Sequence, residues 1–348
     1  MAPTSKNLII AAASLVSLGA LASAADAACE RANALGVSRT ITIDATGGQL
    51  YGGLQYDPGS LLKDGEVILT FDDGPLRRHT RKVLKALAAH CTKGTFFMVG
   101  RMAVADPEMV REVAGAGHTI ANHTWSHKNL HQRSARRAGG EIELGISAVR
   151  IAAKKPISPF FRFPYLADPN TMIAYGKSRN LAIFSIDIDS YDYKTKSPEK
   201  VYSNIMGELR SRRKGIMLFH DIQQSTAGAM QRLLDTIQRE GFKVVHVVAK
   251  SPVVTLGDFD TEAQALHDRR RTVATASAVE GGAYENAPSA RRRIQSNVAS
   301  NPAPKVVASK REPQQRQANP FSVNNTVAAR PRVTARPSSD WRRSIWGN

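Results

Sequence analysis

Residues 68–75 read ILTFDDGP, and in this stretch Asp72 and Asp73 stand side by side between an apolar run and Gly74-Pro75. Adjacent carboxylates repel each other, so something must offset them. A polar turn closing a strand is one account. The other is a pair with divided roles, one acid holding a metal and its neighbour moving a proton. The second account needs further ligands, and NHTWSH supplies His123 and His127 at i, i+4. On a helical turn that spacing sets both imidazoles on one side, close enough to share an ion. Two His and one Asp make a three-ligand set that leaves a position open for water. Surface His pairs at this spacing are also common.

Three more stretches carry polar groups beside apolar runs. In FFRFPYL, Arg162 stands where it could pair with a carboxylate and orient it. Pro164 there shapes the loop before Tyr165, although an ordinary strand exit has the same composition. DIDSYDY brings Asp187, Asp189 and Asp192 together with Tyr191 and Tyr193. Such a cluster suits sugar recognition or the tuning of a histidine, or is a solvated acidic loop. IMLFHD ends an apolar run on His220, with Leu218 on the same face two residues back.

These groups need a scaffold that brings them together. From about 65 to 248 apolar runs alternate with helical patterns. Strands are expected at 66–71, 94–100, 118–123, 158–164, 181–188, 215–220 and 242–248. Helices are expected at 80–90, 107–117, 140–154, 198–210 and 227–240. Strand, helix, strand at this spacing implies parallel pairing, hence an α/β barrel or a doubly wound sheet. In both, the C-terminal strand ends carry function. Asp72, Asp73, His123, Arg162, Asp187 and His220 all fall at such ends in this reading.

In order along the chain, TFDDGP, HxxxH, RxPY, DxxDY and LxHD resemble the polysaccharide deacetylases of carbohydrate esterase family 4, the NodB-homology domain. The resemblance covers about half the chain, 65–248, and GTFFMVG is similar to that family's second strand. It implies an irregular (β/α) barrel with a divalent metal, zinc or else cobalt or nickel, on Asp73, His123 and His127. It implies Asp72 as general base oriented by Arg162, and His220 as general acid tuned by Asp192. It implies the Tyr165 backbone N–H as an oxyanion donor, and Tyr193 and Leu218 around the acetyl methyl group. Many relatives carry Trp where this chain has Tyr193. The activity implied is N-deacetylation of an N-acetylglucosamine polymer, peptidoglycan or chitooligosaccharide. An O-acetyl ester hydrolase on a xylan-like polymer uses the same site chemistry, and a non-catalytic wall-binding protein is the alternative of another class.

The chain has 348 residues, 42% of them hydrophobic, and a formal net charge of +18. Residues 1–27 have the features of a secretory signal peptide: one Lys, the apolar stretch 8–24, and small-x-small sites at 22–24 and 25–27. An uncleaved anchor is the alternative. No later stretch is long and apolar enough to span a bilayer, so no stable membrane span is expected after processing. The expected address is periplasmic or extracellular. In an exported chain the only two cysteines, Cys29 and Cys91, suggest one disulfide. Residues 28–64 are expected as an N-terminal extension with an added strand or hairpin, followed by the catalytic domain at 65–250. The stretch 261–348 holds 15 basic and 6 acidic residues, so it carries half the net charge. It is expected as a disordered basic tail that could adhere to an anionic cell-envelope polymer. Nothing but net charge suggests nucleic acid, and none is expected as a partner.

Overall fold

The computed structural model describes residues 33–284 apart from 58 and 60, with side chains through 272. The expected signal peptide, Cys29 and the tail beyond 284 lie outside these residues.

Ten strands and eight α-helices follow in chain order. The strands are β1 (Arg39–Ile43), β2 (Leu50–Tyr51), β3 (Glu66–Asp72), β4 (Thr95–Met98), β5 (Thr119–Asn122), β6 (Phe160–Phe161), β7 (Ala182–Phe184), β8 (Ile188–Asp189), β9 (Gly215–His220) and β10 (Lys243–Ala249). The helices are α1 (Arg77–Ala89), α2 (Gly100–Ala105), α3 (Pro107–Gly115), α4 (Ala135–Ala153), α5 (Asn170–Ser178), α6 (Pro198–Arg212), α7 (Gln224–Arg239) and α8 (Gly257–Tyr284). The neighbour order is β1-β10-β3-β4-β5-β6-β7-β2, with β9 joining β3 to β8. The ladders are parallel. This is the α/β fold expected, with helices between strands.

Every residue of β3 is buried. A strand covered on both faces needs a continuous apolar run rather than alternation, and EVILTFD provides one. The β3–β9 register sets Asp72 opposite His220, and the β3–β4 register sets Asp72 opposite Phe97. Both acids of the opening motif therefore emerge at the same end of the sheet as the catalytic histidine candidate. Ile43, Ile68, Phe97, Ala121, Phe160, Phe184, Ile216 and Val245 form one apolar core. They come from eight strands, as inside an irregular barrel. Phe71 stacks on Phe96 and Phe219 at ring distances of 4.7 and 5.6 Å. Full burial of each such ring stabilises the fold by roughly 1.5–3 kcal/mol.

Helix starts are legible where caps exist. The Asp106 side chain accepts from Met109 N at 3.2 Å and Pro107 takes the first turn of α3. Ser197 and Pro198 do the same for α6. Both pairings satisfy or remove N–H groups that have no intrahelical partner.

Within 28–64 the expected added strand is present: among the described residues β1 pairs with β10 and β2 with β7, both parallel, so this stretch contributes two strands to the sheet rather than a hairpin. Two expectations need correcting. The 181–188 run is two strands, β7 and β8, because the chain leaves the ladder at Ser185–Asp187. Finally, 261–284 is helical rather than disordered. Phe259, Ala263 and Leu266 pack with Val104, Leu144 and Ala148. This stripe, spaced i, i+4, i+7, has only three apolar members, too few to stand out in a basic, Ala-rich stretch. Cys91 is disulfide-bonded, and the sequence has one other cysteine, Cys29. Among the described residues, no helix is long and apolar enough to cross a membrane.

Candidate metal-dependent active site

The turn after β3 carries both acids. Asp72 is its last residue, 2% exposed, and Asp73 turns at φ 76° with its N–H donating to Phe97 O at 3.2 Å. A non-glycine residue rarely holds a positive φ without surrounding structure to enforce it. Thr124 (φ 69°), His127 (φ 56°) and Tyr165 (φ 60°) do so around the same cleft. These angles correct the expected helical turn for HxxxH. His123 leaves the end of β5 and the chain loops back, with Thr124 Oγ1 accepting from His127 N at 3.0 Å. The loop still brings the two rings within 4.9 Å, centroid to centroid.

Asp73 Oδ1 lies 3.6 Å from His123 Nε2 and 3.2 Å from His127 Nε2. Ligand bonds of about 2.0–2.1 Å in a tetrahedral zinc site separate donor atoms by about 3.4 Å, so the spacing fits. Three further observations agree. Asp73 Oδ1 is buried without a hydrogen-bond partner. His123 Nδ1–H donates to Arg162 O at 2.8 Å, which leaves the Nε2 lone pair facing Asp73. Burial and the neighbouring His127 hold His123 down at about 3, so its ring is neutral and able to ligate. The donor atoms of Asp73, His123 and His127 all lie within 4.8 Å of one another, a possible divalent-metal site.

Asp72 is held from behind. The Arg162 guanidinium is fully buried and donates to Asp72 Oδ1 at 2.7 Å, Thr70 Oγ1 at 2.8 Å, Ser185 O at 3.0 Å and Phe184 O at 3.3 Å. Its plane lies 4.3 Å from the Phe97 ring centre. A buried cation is tolerable only when its donors find partners, and these residues provide them. Burial pushes the Asp72 carboxyl up, while Arg162 and then His220 oppose the rise. Asp72 Oδ2 faces His123 Nε2 at 3.7 Å.

On the facing side His220 Nδ1–H donates to Asp192 Oδ1 at 2.6 Å and His220 N–H to Oδ2 at 2.7 Å. Thr226 Oγ1 donates to the same Oδ2. Burial works against charging His220. The Asp192 hydrogen bond and the charges of Asp192, Asp73 and Asp72 outweigh it and raise His220 to about 9. Its ring meets Tyr193 edge-on at 5.6 Å.

Asp72, Asp73, His123, His127, Tyr165, Tyr193, Leu218 and His220 line one cleft of about 350 Å³. Arg162 and Asp192 stand outside it, each fixing a residue that lines it. Asp189 also faces the cleft and accepts from Tyr191 N and Tyr193 Oη at 2.8 and 3.1 Å. Asp187 does not. Its carboxylate accepts from Gly53 N at 2.6 Å and Ile216 N at 2.7 Å, so it fastens loops instead.

Sequence reading passed over Phe163 and Leu166 in the cleft wall, Thr226, and Asp221. Asp221 is fully buried, accepts from Thr80 Oγ1 at 2.5 Å, and is pushed up to about 7 by burial. A Cβ on Gly74 would collide with its carboxyl group. Two signals for it were present: the Asp directly after His220, and the Gly directly after Asp73.

Residues 61–183 match the family model described as polysaccharide deacetylase. A chitooligosaccharide deacetylase of Bradyrhizobium sp. is 28% identical over 192 residues, 51% of this chain and 87% of the relative. A peptidoglycan-N-acetylglucosamine deacetylase of Bacillus cereus is 30% identical over 185 residues, 52% of this chain and 66% of the relative. The solved structure of a Bdellovibrio bacteriovorus peptidoglycan deacetylase superposes with a TM-score of 0.56 at 29% identity, covering 64% of this chain and 62% of that one. The matched region is thus just under two thirds of the Bacillus and Bdellovibrio chains.

Proposed function

This chain belongs to the polysaccharide deacetylase family, and from that premise we propose that it is an exported, metal-dependent hydrolase that removes N-acetyl groups from an N-acetylglucosamine polymer, peptidoglycan or chitooligosaccharide. The observation that carries the reading is the coexistence, in one cleft, of a metal-competent Asp73-His123-His127 set, a buried carboxylate and a charged histidine.

A divalent metal held by Asp73 Oδ1 and the Nε2 atoms of His123 and His127 would supply Lewis acidity, lowering the pKa of the hydrolytic water and polarising the acetamide carbonyl. Zinc suits a set of two imidazoles and one carboxylate with an open position, and cobalt or nickel suits the same donors. Asp72 takes the proton from water as it attacks. Burial raises its pKa, which makes it a stronger base than an ordinary carboxylate. Arg162 holds the Asp72 carboxylate in one orientation through the 2.7 Å bond. The Tyr165 N–H donates to the developing oxyanion, while Leu218 and Tyr193 enclose the acetyl methyl group. His220 then protonates the departing amine.

The raised pKa of His220 favours amide over ester cleavage. An amine leaves only once protonated, whereas the alcohol of an acetyl ester makes a weaker demand on the acid. Retention of Asp72 and His220 in working geometry favours hydrolysis over simple adhesion. A disulfide at Cys91 supports export to an oxidising compartment. The test is acetate release from chitooligosaccharides and from peptidoglycan, before and after chelation and zinc reloading. Release that survives complete chelation, or no release from any acetylated glycan after reloading, refutes the reading.

A further inference from the structure

The loop that follows the metal ligand His127 reads KNLHQRSARR over 128–137 and contains no acid. It leaves the C-terminal end of β5, passes through a 3-10 turn at Leu130–Gln132 and enters α4. Lys128, Arg133, Arg136 and Arg137 are exposed. Elsewhere on the body Arg77, Arg81, Arg150, Arg179, Arg210, Arg212 and Arg232 each close an ion pair, whereas the scattered, exposed Arg78 and Arg101 close none among the described residues. The four cations of this loop close none among the described residues.

Three of them face a common groove. Lys128, Arg133 and Arg137 line a cleft of about 350 Å³ whose walls include the half-buried rings of Trp125 and Phe259. Two acids also border it. Glu141 accepts from Ser126 N at 2.8 Å and Ser126 Oγ at 2.6 Å, so the groove sets three cations against two carboxylates, one of which is already held by neutral donors. The groove shares no lining residue with the cleft of the reaction centre and is joined to it through the chain, because Lys128 directly follows His127, with Cα atoms about 3.8 Å apart. Aromatic walls with unpaired cations above them suit sugar rings bearing carboxylates, since the rings present apolar faces and the guanidinium fork binds a carboxylate with two hydrogen bonds.

We propose that this groove is a carboxylate-reading subsite, so that the enzyme prefers an N-acetylglucosamine polymer carrying free carboxylates beside the reacting sugar over a neutral one. This inference rests on the hydrolase reading above and specifies the substrate class of the same site. An exposed cation cluster also acts at range and sets the on-rate for an anionic polymer.

The test uses one soluble peptidoglycan fragment in two forms, with free carboxylates and with the same carboxylates amidated. The zinc-loaded full chain is expected to favour the free form by about tenfold in kcat/KM near 0.1 M salt. The preference should collapse near 1 M salt, where the Debye length falls from about 10 to about 3 Å. It should also collapse in the double variant Arg133→Gln/Arg137→Gln, whose secondary structure is checked by circular dichroism. Equal turnover of the two forms by wild type at low salt overturns the inference, as does a double variant that keeps the preference. If wild type deacetylates neither form, the hydrolase reading falls by itself. Calorimetric binding of the two forms to metal-loaded Asp72→Asn protein then decides the subsite by the same preference, and equal affinity overturns it.

Discussion

Asp192→Asn isolates the part of the site that sets the charge of His220. The Asp192 side chain is 1% exposed and receives three donors: His220 Nδ1–H, His220 N–H and Thr226 Oγ1. An asparagine offers one acceptor oxygen for the three and carries no charge. His220 stands at about 9 against an ordinary 6.5, and at 1.36 kcal/mol per unit the difference is on the order of 3 kcal/mol. A dication on Asp73 offsets the help that Asp73 and Asp72 give, so Asp192 is the support that remains in the loaded enzyme. In the proposed mechanism the acid form of His220 is the working form, so its loss on raising the pH should produce the alkaline limb of kcat/KM. Asp192→Asn should move that limb downward, by up to about 2.5 units if all the support is lost. At pH 8 the protonated fraction would then drop by at most about thirtyfold, the bound set by the metal-free value, with a much smaller effect near pH 6. The assay is acetate release from a chitooligosaccharide across pH 5–10, with zinc held in excess. Stability of the metal-free protein provides a second reading. A histidine raised in the folded state contributes stability that is full below its unfolded value of about 6.5 and is lost as pH rises through about 9. Urea unfolding should therefore show wild type losing roughly 3 kcal/mol across that window and the variant losing little. An unmoved alkaline limb with a lowered plateau would refute the assignment and leave Asp192 as a brace.

Arg162→Met should cost roughly 3–5 kcal/mol in urea unfolding, because it leaves Asp72 buried without its cation, and it should abolish deacetylation. Arg162→Lys should recover stability better than rate, since a single ammonium cannot reach Asp72, Thr70, Phe184 and Ser185 together. Gly145→Ala places a Cβ 2.5 Å from the carbonyl carbon of Thr124, in the loop between the two histidine ligands. It should lower both melting temperature and zinc affinity, measured by calorimetry with a chelator as competitor, and unchanged zinc affinity would show that the loop tolerates the shift. Removing metal should lower the melting temperature of wild type, as expected for loss of about 2.7 kcal/mol when metal is held at a hundred times its Kd. The same treatment should leave His123→Ala unmoved, as followed by thermal melts with and without chelator.

Much of the site was legible from residue types alone. A doubled carboxylate after an apolar run, a His pair, and Arg162 and His220 near the ends of two later runs can be read without coordinates, because buried strands and charged residues differ so sharply in hydrophobicity. The local geometry of HxxxH was not legible. Spacing suggests a helical turn, but Thr124 and His127 at positive φ make a loop, which is held by N–H groups of Gly100 and Arg101 donating to Thr124 O and Trp125 O, by Trp125 N–H donating to Glu141 O, and by close approach to Gly145. Asp221 stayed hidden for a related reason. Its role depends on burial against Gly74 and Thr80, partners 147 and 141 residues away in the chain. The helix at Gly257–Tyr284 escaped because its apolar stripe draws meaning only from Val104 and Leu144, which it covers.

The amino-acid sequence by itself determined the alternation of strand and helix, the parallel sheet and the set of ionisable residues at its strand ends, because hydrophobic period and side-chain type are local properties of the chain. Tertiary structure alone decided which acid faces the two histidines, which one Arg162 holds, and which way the charge on His220 is biased. Those outcomes depend on burial and on distances of a few ångströms between residues that lie far apart in the chain, and electrostatic energy at such range changes with each of them.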